Sequence, residues 1–219
     1  MLGKRPVHTS VLFQLQSTDH IKIYTAVVFS DTPAIYAQVF PHAIDAIARR
    51  GNMKALLVVD VQNGLVERAL YQKERFLTVV KDAIQTARRY NHLVIGIQHT
   101  NNQLVEGTAP WMMYGALGMQ NQDPTINKRH GNAFEQTNLK HLLWENNISD
   151  IVVCGLVSHG CVRATCLGAL EEGFNVSLLQ HGHSCWNKDA SDKITTMEQE
   201  VVAQGVQIRT AMEVFGVDG

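Results

Sequence analysis

The sequence predicts an α/β protein, with a doubly wound, mostly parallel sheet at the centre of a three-layer α/β/α arrangement. Two patterns predict it. Short apolar runs of strand length recur from Met53 onward, as expected of strands buried on both faces. Between most of them lie segments with apolar residues at helical spacing. Repeated β-α order implies a parallel sheet, because parallel strands need a crossover that helices supply on either face.

The elements follow in order. Ala55–Asp60 (ALLVVD) is an apolar run closed by an acid and reads as the first strand. Between Tyr71 and Tyr90, Phe76, Val80, Ala83, Ile84 and Ala87 recur at helical period, with charged residues on the other face. Leu93–Gln98 (LVIGIQ) is a second buried strand. Residues 99–130, rich in Asn, Gln, Gly and Pro, read as one long loop, of the kind that forms binding loops or lids. Leu139, Leu142 and Leu143 mark a helix, Ile151–Cys154 a strand, and Val162, Cys166, Leu167 and Leu170 a further helix. Asn175–Leu179 is a strand, Ile194, Met197 and Val201 mark a helix that Gly205 is placed to end, and Val206–Ile208 is a short last strand.

The first 52 residues do not share this rhythm. His20–Ser30 suits a strand and Ala43–Arg50 a short helix, or the segment is a poorly ordered extension with Met53 as the initiator. The expected division is an N-terminal extension, 1–52, and one domain, 53–219.

Composition narrows the function classes. The chain has 219 residues, 45% of them apolar, and a formal charge of −1, so nothing points to nucleic acid or an anionic membrane as partner. No apolar run approaches the roughly 20 residues of a membrane span, and no secretory leader pattern opens the chain. The four cysteines, Cys154, Cys161, Cys166 and Cys185, lie in the second half and do not form the framework of a small secreted domain. A cytoplasmic, reducing setting is expected.

Ligands of such sheets bind beyond the carboxyl ends of the strands. That rule selects Asp60, Val61, Gln62, His99, the turn before Cys161 and the stretch His181–Trp186. In Ile151–Arg163 (IVVCGLVSHGCVR), a buried strand ends in a Gly-flanked turn that delivers Cys161 to the start of a helix. The unsatisfied N–H groups and helix dipole there favour a thiolate, so a lowered thiol pKa is expected. The same N–H groups suit the oxyanion of acyl transfer. Asp60 ends a strand that can neighbour the one before Cys161, and Lys128 closes the long loop. A lysine buried between carboxylate and thiol would pair with both.

Three motifs in order resemble those of the isochorismatase-like cysteine hydrolases, a superfamily that includes nicotinamidase and N-carbamoylsarcosine amidase. Val58–Asn63 (VVDVQN) resembles the family's D-x-Q motif, Lys128 with Asn132-Ala133-Phe134 its lysine and downstream turn, and Gly155–Val162 (GLVSHGCV) its G-x-x-T-x-x-C-V element. Ser158 replaces the usual threonine. The resemblance spans about Met53 to Ile208.

It implies that Cys161 attacks a carbonyl or amidine-like carbon, that Asp60 takes and returns the proton, and that Lys128 orients the charges. It also implies a cis peptide at Leu156–Val157, aiming the N–H groups of Val157 and Cys161 at the oxyanion. Where nicotinamidases carry metal-binding Asp-x-His and a further histidine, this chain reads His99-Thr100-Asn101-Asn102, so no metal or other cofactor is expected. A His99, His181, His183 and Cys185 metal set is the alternative. Gln62 either holds Asp60 or starts the loop. Trp111, Phe134 and Trp186 either wall a pocket or pack beneath the loops, and Ser158 and His159 read as turn-formers rather than a dyad.

The expected activity is hydrolysis of a C–N bond in a small amide, ureido or carbamoyl compound through a thioester, with Gln62, Trp111, Phe134 and Ser158 as candidate substrate contacts. The alternatives are vinyl-ether hydrolysis with Asp60 as acid, a metal-dependent hydrolase, or a non-catalytic binding protein on the same fold. The resemblance further implies a homo-oligomer acting on a small molecule.

Overall fold

The computed structural model describes residues 9–15, 22–28, 53–186 and 188–216, and the chain divides into two compact units, 1–49 and 50–219. In the first, β1 (Thr9–Leu15) pairs antiparallel with β2 (Lys22–Val28), from Thr9 opposite Val28 to Leu15 opposite Lys22. The sequence suggests a strand near β2 but not β1. The helix expected at 43–50 lies outside the described residues.

The second unit holds β3 (Ala55–Val59), α1 (Asn63–Val66), α2 (Lys73–Arg89), β4 (Leu93–His99), β5 (Thr125–Lys128) and α3 (Leu139–Glu145). Then come β6 (Asp150–Leu156), α4 (Arg163–Glu171), β7 (Asn175–Ser184), α5 (Ala190–Ala203), β8 (Gln207–Arg209) and α6 (Ala211–Phe215). Six parallel strands form one sheet in the order β5-β4-β3-β6-β7-β8. The chain starts in the middle, winds outward to β5, then returns to β6 and winds the other way. The winding reverses between β3 and β6, as a doubly wound sheet requires.

The alternation within each strand divides the core in two. Leu57, Val59, Ile95, Ile97, Ile151 and Val153 face Leu139, Leu143, Cys166, Ala169, Met197 and Val201 of α3, α4 and α5. Leu56, Val58, Val94, Val152 and Cys154 face Phe76, Val80, Ala83, Ile84 and Ala87 of α2, with Val214 and Phe215 of α6. Every residue of β3 is buried, which is why its run is apolar throughout rather than alternating.

The 99–130 loop expectation needs one correction. Its last residues, Thr125–Lys128, form β5, paired in register with β4 from Gly96 opposite Thr125 to His99 opposite Lys128. This edge strand is four residues long and all but Ile126 are polar, so no apolar run announces it. No helix among the described residues is long and apolar enough to cross a membrane.

Candidate active site

Four strand ends meet at the switch point. Asp60 follows β3 with φ of 55°, a left-handed conformation that aspartate adopts more readily than most residues. Its N–H donates to Ile97 O at 2.9 Å, which holds it against β4. β4 ends in His99 and β5 in Lys128. β6 leads through a cis Leu156–Val157 peptide into a five-residue π-type turn, Ser158–Val162, that carries Cys161. Gly160 N and Val162 N both donate to Val157 O, at 2.9 and 3.3 Å. Gly155, with φ of 125°, makes the approach of β6 to β3 possible: a Cβ there would lie 1.9 Å from Val59 O.

Lys128 organises the charges. Its side chain is fully buried, and Nζ donates to Asp60 Oδ2 at 2.7 Å, His99 Nδ1 at 3.2 Å and His130 O at 3.2 Å. An ammonium has three protons and no acceptor, so all three are committed and His99 presents a lone pair at Nδ1. Burial first, and then the Lys128 charge, hold the His99 pKa below its usual value. One donor atom each of Asp60, His99 and Cys161 lie within 4.8 Å of one another.

The carboxylate is used unequally. Oδ2 is taken by Lys128, whereas Oδ1 is buried without a hydrogen-bond partner in the protein. Burial pushes the Asp60 carboxyl above its ordinary pKa, with the Lys128 charge and hydrogen bond pulling the other way. The expected lowering of the Cys161 pKa is not what this environment produces. Burial, and then the Asp60 charge, push the thiol up to about 12, and Lys128 offsets only part of that. Cys161 sits within the turn ahead of α4, half-buried beside a carboxylate, where desolvation and that charge disfavour the thiolate. The resting group is therefore a thiol next to a base, not a preformed thiolate.

The other expected site residues separate. Gln62 is fully buried and does not hold Asp60. Its Nε2 donates to His99 O at 3.0 Å and Trp111 O at 2.7 Å, and its Oε1 accepts from His99 N at 3.0 Å. It ties β4 to the long loop and has little left for a substrate. Phe134 lies in the core against Phe174, ring centroids 5.5 Å apart. Ser158 is fully buried, with Oγ 3.0 Å from His183 Nδ1. Trp111 is half-buried, and its indole donates to Thr100 Oγ1 at 2.9 Å. Cys154, Cys166 and Cys185 are buried free thiols.

Residues missed by the sequence reading include Gln98, whose Nε2 also donates to Trp111 O at 3.0 Å, and His130, which offers only its carbonyl to Lys128. A polar residue near the end of an apolar strand was the available signal for Gln98; a backbone contact leaves none.

A resident metal does not fit. The converging Asp60 and His99 atoms already surround an ammonium, and a divalent cation would stand against that charge. Beyond β4, Thr100 Oγ1 accepts from Trp111, and Asn101 Oδ1 accepts from Gln103 N and Leu104 N at 2.8 and 2.9 Å, so these side chains build the loop.

Known proteins resemble this chain in sequence and in fold. Streptothricin hydrolase of Streptomyces noursei is 29% identical over 148 residues, 65% of this chain and 59% of that enzyme, so this chain spans less than two thirds of it. Maleamate amidohydrolase of Pseudomonas putida is 27% identical over 77 residues, 35% of this chain and 36% of the relative. A crystal structure of an isochorismatase family protein superposes with a TM-score of 0.68 at 28% identity, covering 72% of this chain and 98% of the other. The Isochorismatase domain model matches residues 54–210. Because that match takes in all six strands of the parallel sheet and both sides of its switch point, the chain belongs to the isochorismatase family.

Proposed function

We propose that the protein is a thiol-dependent hydrolase of a C–N bond in a small amide, ureido or carbamoyl compound. The observation that carries this reading is the unpaired Oδ1 of buried Asp60 beside the Cys161 thiol, with Lys128 fixing the other oxygen. Asp60 takes the thiol proton as Sγ attacks the carbonyl carbon. The N–H groups of Val157 and Cys161 receive the oxyanion. Collapse breaks the C–N bond, Asp60 returns the proton to the departing amine, and a thioester remains. Asp60 then deprotonates water, which releases the acid and restores the thiol. Lys128 stays charged throughout and keeps the carboxylate aimed. Trp111, at the half-buried edge of the long loop, is the remaining candidate to wall the substrate.

Two relatives bear on the bond cleaved: one is named a streptothricin hydrolase and another a maleamate amidohydrolase, and hydrolysis of an amide suits a thiol nucleophile. The test is ammonia release from a panel of small amides and carbamoyl compounds, with Cys161→Ala as control and mass spectrometry for the thioester. Loss of turnover in that variant and a substrate-sized adduct on Cys161 are expected. Ammonia release that survives Cys161→Ala would overturn the thiol mechanism, and turnover of an enol ether by that variant would instead assign vinyl-ether hydrolysis with Asp60 as acid. A wild-type thiol inert to iodoacetamide at neutral pH would leave a non-catalytic binding protein.

A further inference from the structure

The turn that carries Cys161 has polar anchors that the reaction above does not use. β7 pairs with β6 in two registers: Val153 opposes Leu178, but Gly155 opposes His183. The stretch between, Leu179–Gly182, bulges out of the ladder. His181 takes a φ of 57°, and at Gly182 a Cβ would lie 2.4 Å from Leu179 Cδ2. Bulges beside a site re-aim a side chain, and this one carries His183 inward beneath the turn.

His183 is 4% exposed, and its Nδ1 lies 3.0 Å from the buried Ser158 Oγ. Its Nε2 faces Glu198 of α5, 3.3 Å from Oε1, without hydrogen-bond geometry. Just beyond the turn, Arg163 donates from Nε to Glu200 Oε2 at 2.7 Å, and its guanidinium also meets Oε1. Both flanks of the cysteine therefore face α5, one through buried Ser158 and His183 towards the partly exposed Glu198, and one through the surface pair Arg163–Glu200. Apolar side chains would fill the buried volume without leaving a nitrogen short of a partner. A left-handed histidine and a glycine are instead spent to put an imidazole there.

We propose that Ser158–His183–Glu198 is a strut that holds the Cys161 turn in its reactive geometry, with His183 as a positioning residue. The inference rests on the thiol-hydrolase reading, and its test separates the two. The rate of Cys161 alkylation by iodoacetamide at neutral pH, read by peptide mass spectrometry, needs no substrate. Ser158→Ala and His183→Leu should each slow it about tenfold to a hundredfold, since small misplacements of reacting groups cost that much. Ser158→Thr, which keeps the hydroxyl, should restore the rate. Buried Cys166 should stay unmodified in the folded variants, which a general loosening of the structure would not allow. Cys161→Ala reports on the parent reading: ammonia release from the amide panel that survives in that variant would sink the thiol mechanism. If Cys161→Ala is inactive but either Ser158→Ala or His183→Leu folds and alkylates at the wild-type rate, the strut is overturned.

Discussion

Asp60 has two oxygens with separate tasks, and the energetics of the site follow from that split. Oδ2 holds the Lys128 ammonium, while Oδ1 is left for a proton. Lys128→Met leaves a buried carboxylate without its partner, at a cost of about 3–5 kcal/mol in denaturant unfolding. The Asp60 pKa is already raised by burial, and without Lys128 nothing of that strength opposes it. A group whose folded pKa is raised loses stability as pH rises through that value. The Lys128→Met deficit should therefore be largest at neutral pH and shrink on acidification.

The same direction sets the rate profile. In the proposed reaction Asp60 must be ionised to act as base, so kcat/KM should fall as pH drops through a pKa above the ordinary 3.8. It should show no rise near 9.0, the ordinary thiol value, because the Cys161 proton leaves to Asp60 rather than to solvent. A rate that climbs with a thiol titration between pH 8 and 9 would contradict base catalysis. Asp60→Asn should lose about 10²–10⁴-fold in turnover.

At the scale of elements, the site depends on how closely β3 and β6 end together. Gly155 lies opposite Val59 with no room for a Cβ, so Gly155→Ala should displace the end of β6 and the turn beyond it. The expected result is insoluble protein, or a folded one in which Cys161 no longer alkylates. Gln62 joins β4 to the long loop by three buried bonds to backbone. Gln62→Ala removes this partner from His99 N and O, while Trp111 O keeps Gln98 Nε2, and about 1–3 kcal/mol for each group without a new partner should appear as lost stability. Helices α2 to α5 were legible because their apolar residues recur at 3.6-residue spacing on one face, whereas α1 and α6, four and five residues long, were not. β5 was not, since an edge strand of four residues buries only Ile126 and Lys128.

For the whole molecule, both core layers among the described residues draw only on residues 53–215. We propose that residues 53–219 are the hydrolase domain and fold independently. A chain starting at Met53 should unfold cooperatively and alkylate Cys161 at the full-length rate. Loss of either would assign residues 1–52 a structural part. The homo-oligomer suggested by resemblance is a proposal that light scattering checks directly.

The sequence by itself determined the α/β class, the order of most strands and helices, and the cysteine, lysine and aspartate. Burial on both faces writes itself into apolar runs, and the motifs carry the three residues that the fold brings together. Only the tertiary structure decided which charges face which. It made Gln62 a tether, put Phe134 in the core, enclosed Lys128 with His99, and raised the Cys161 pKa that position alone suggested would fall. Those outcomes depend on distance and desolvation between groups remote in the chain, and a linear order of residues encodes neither.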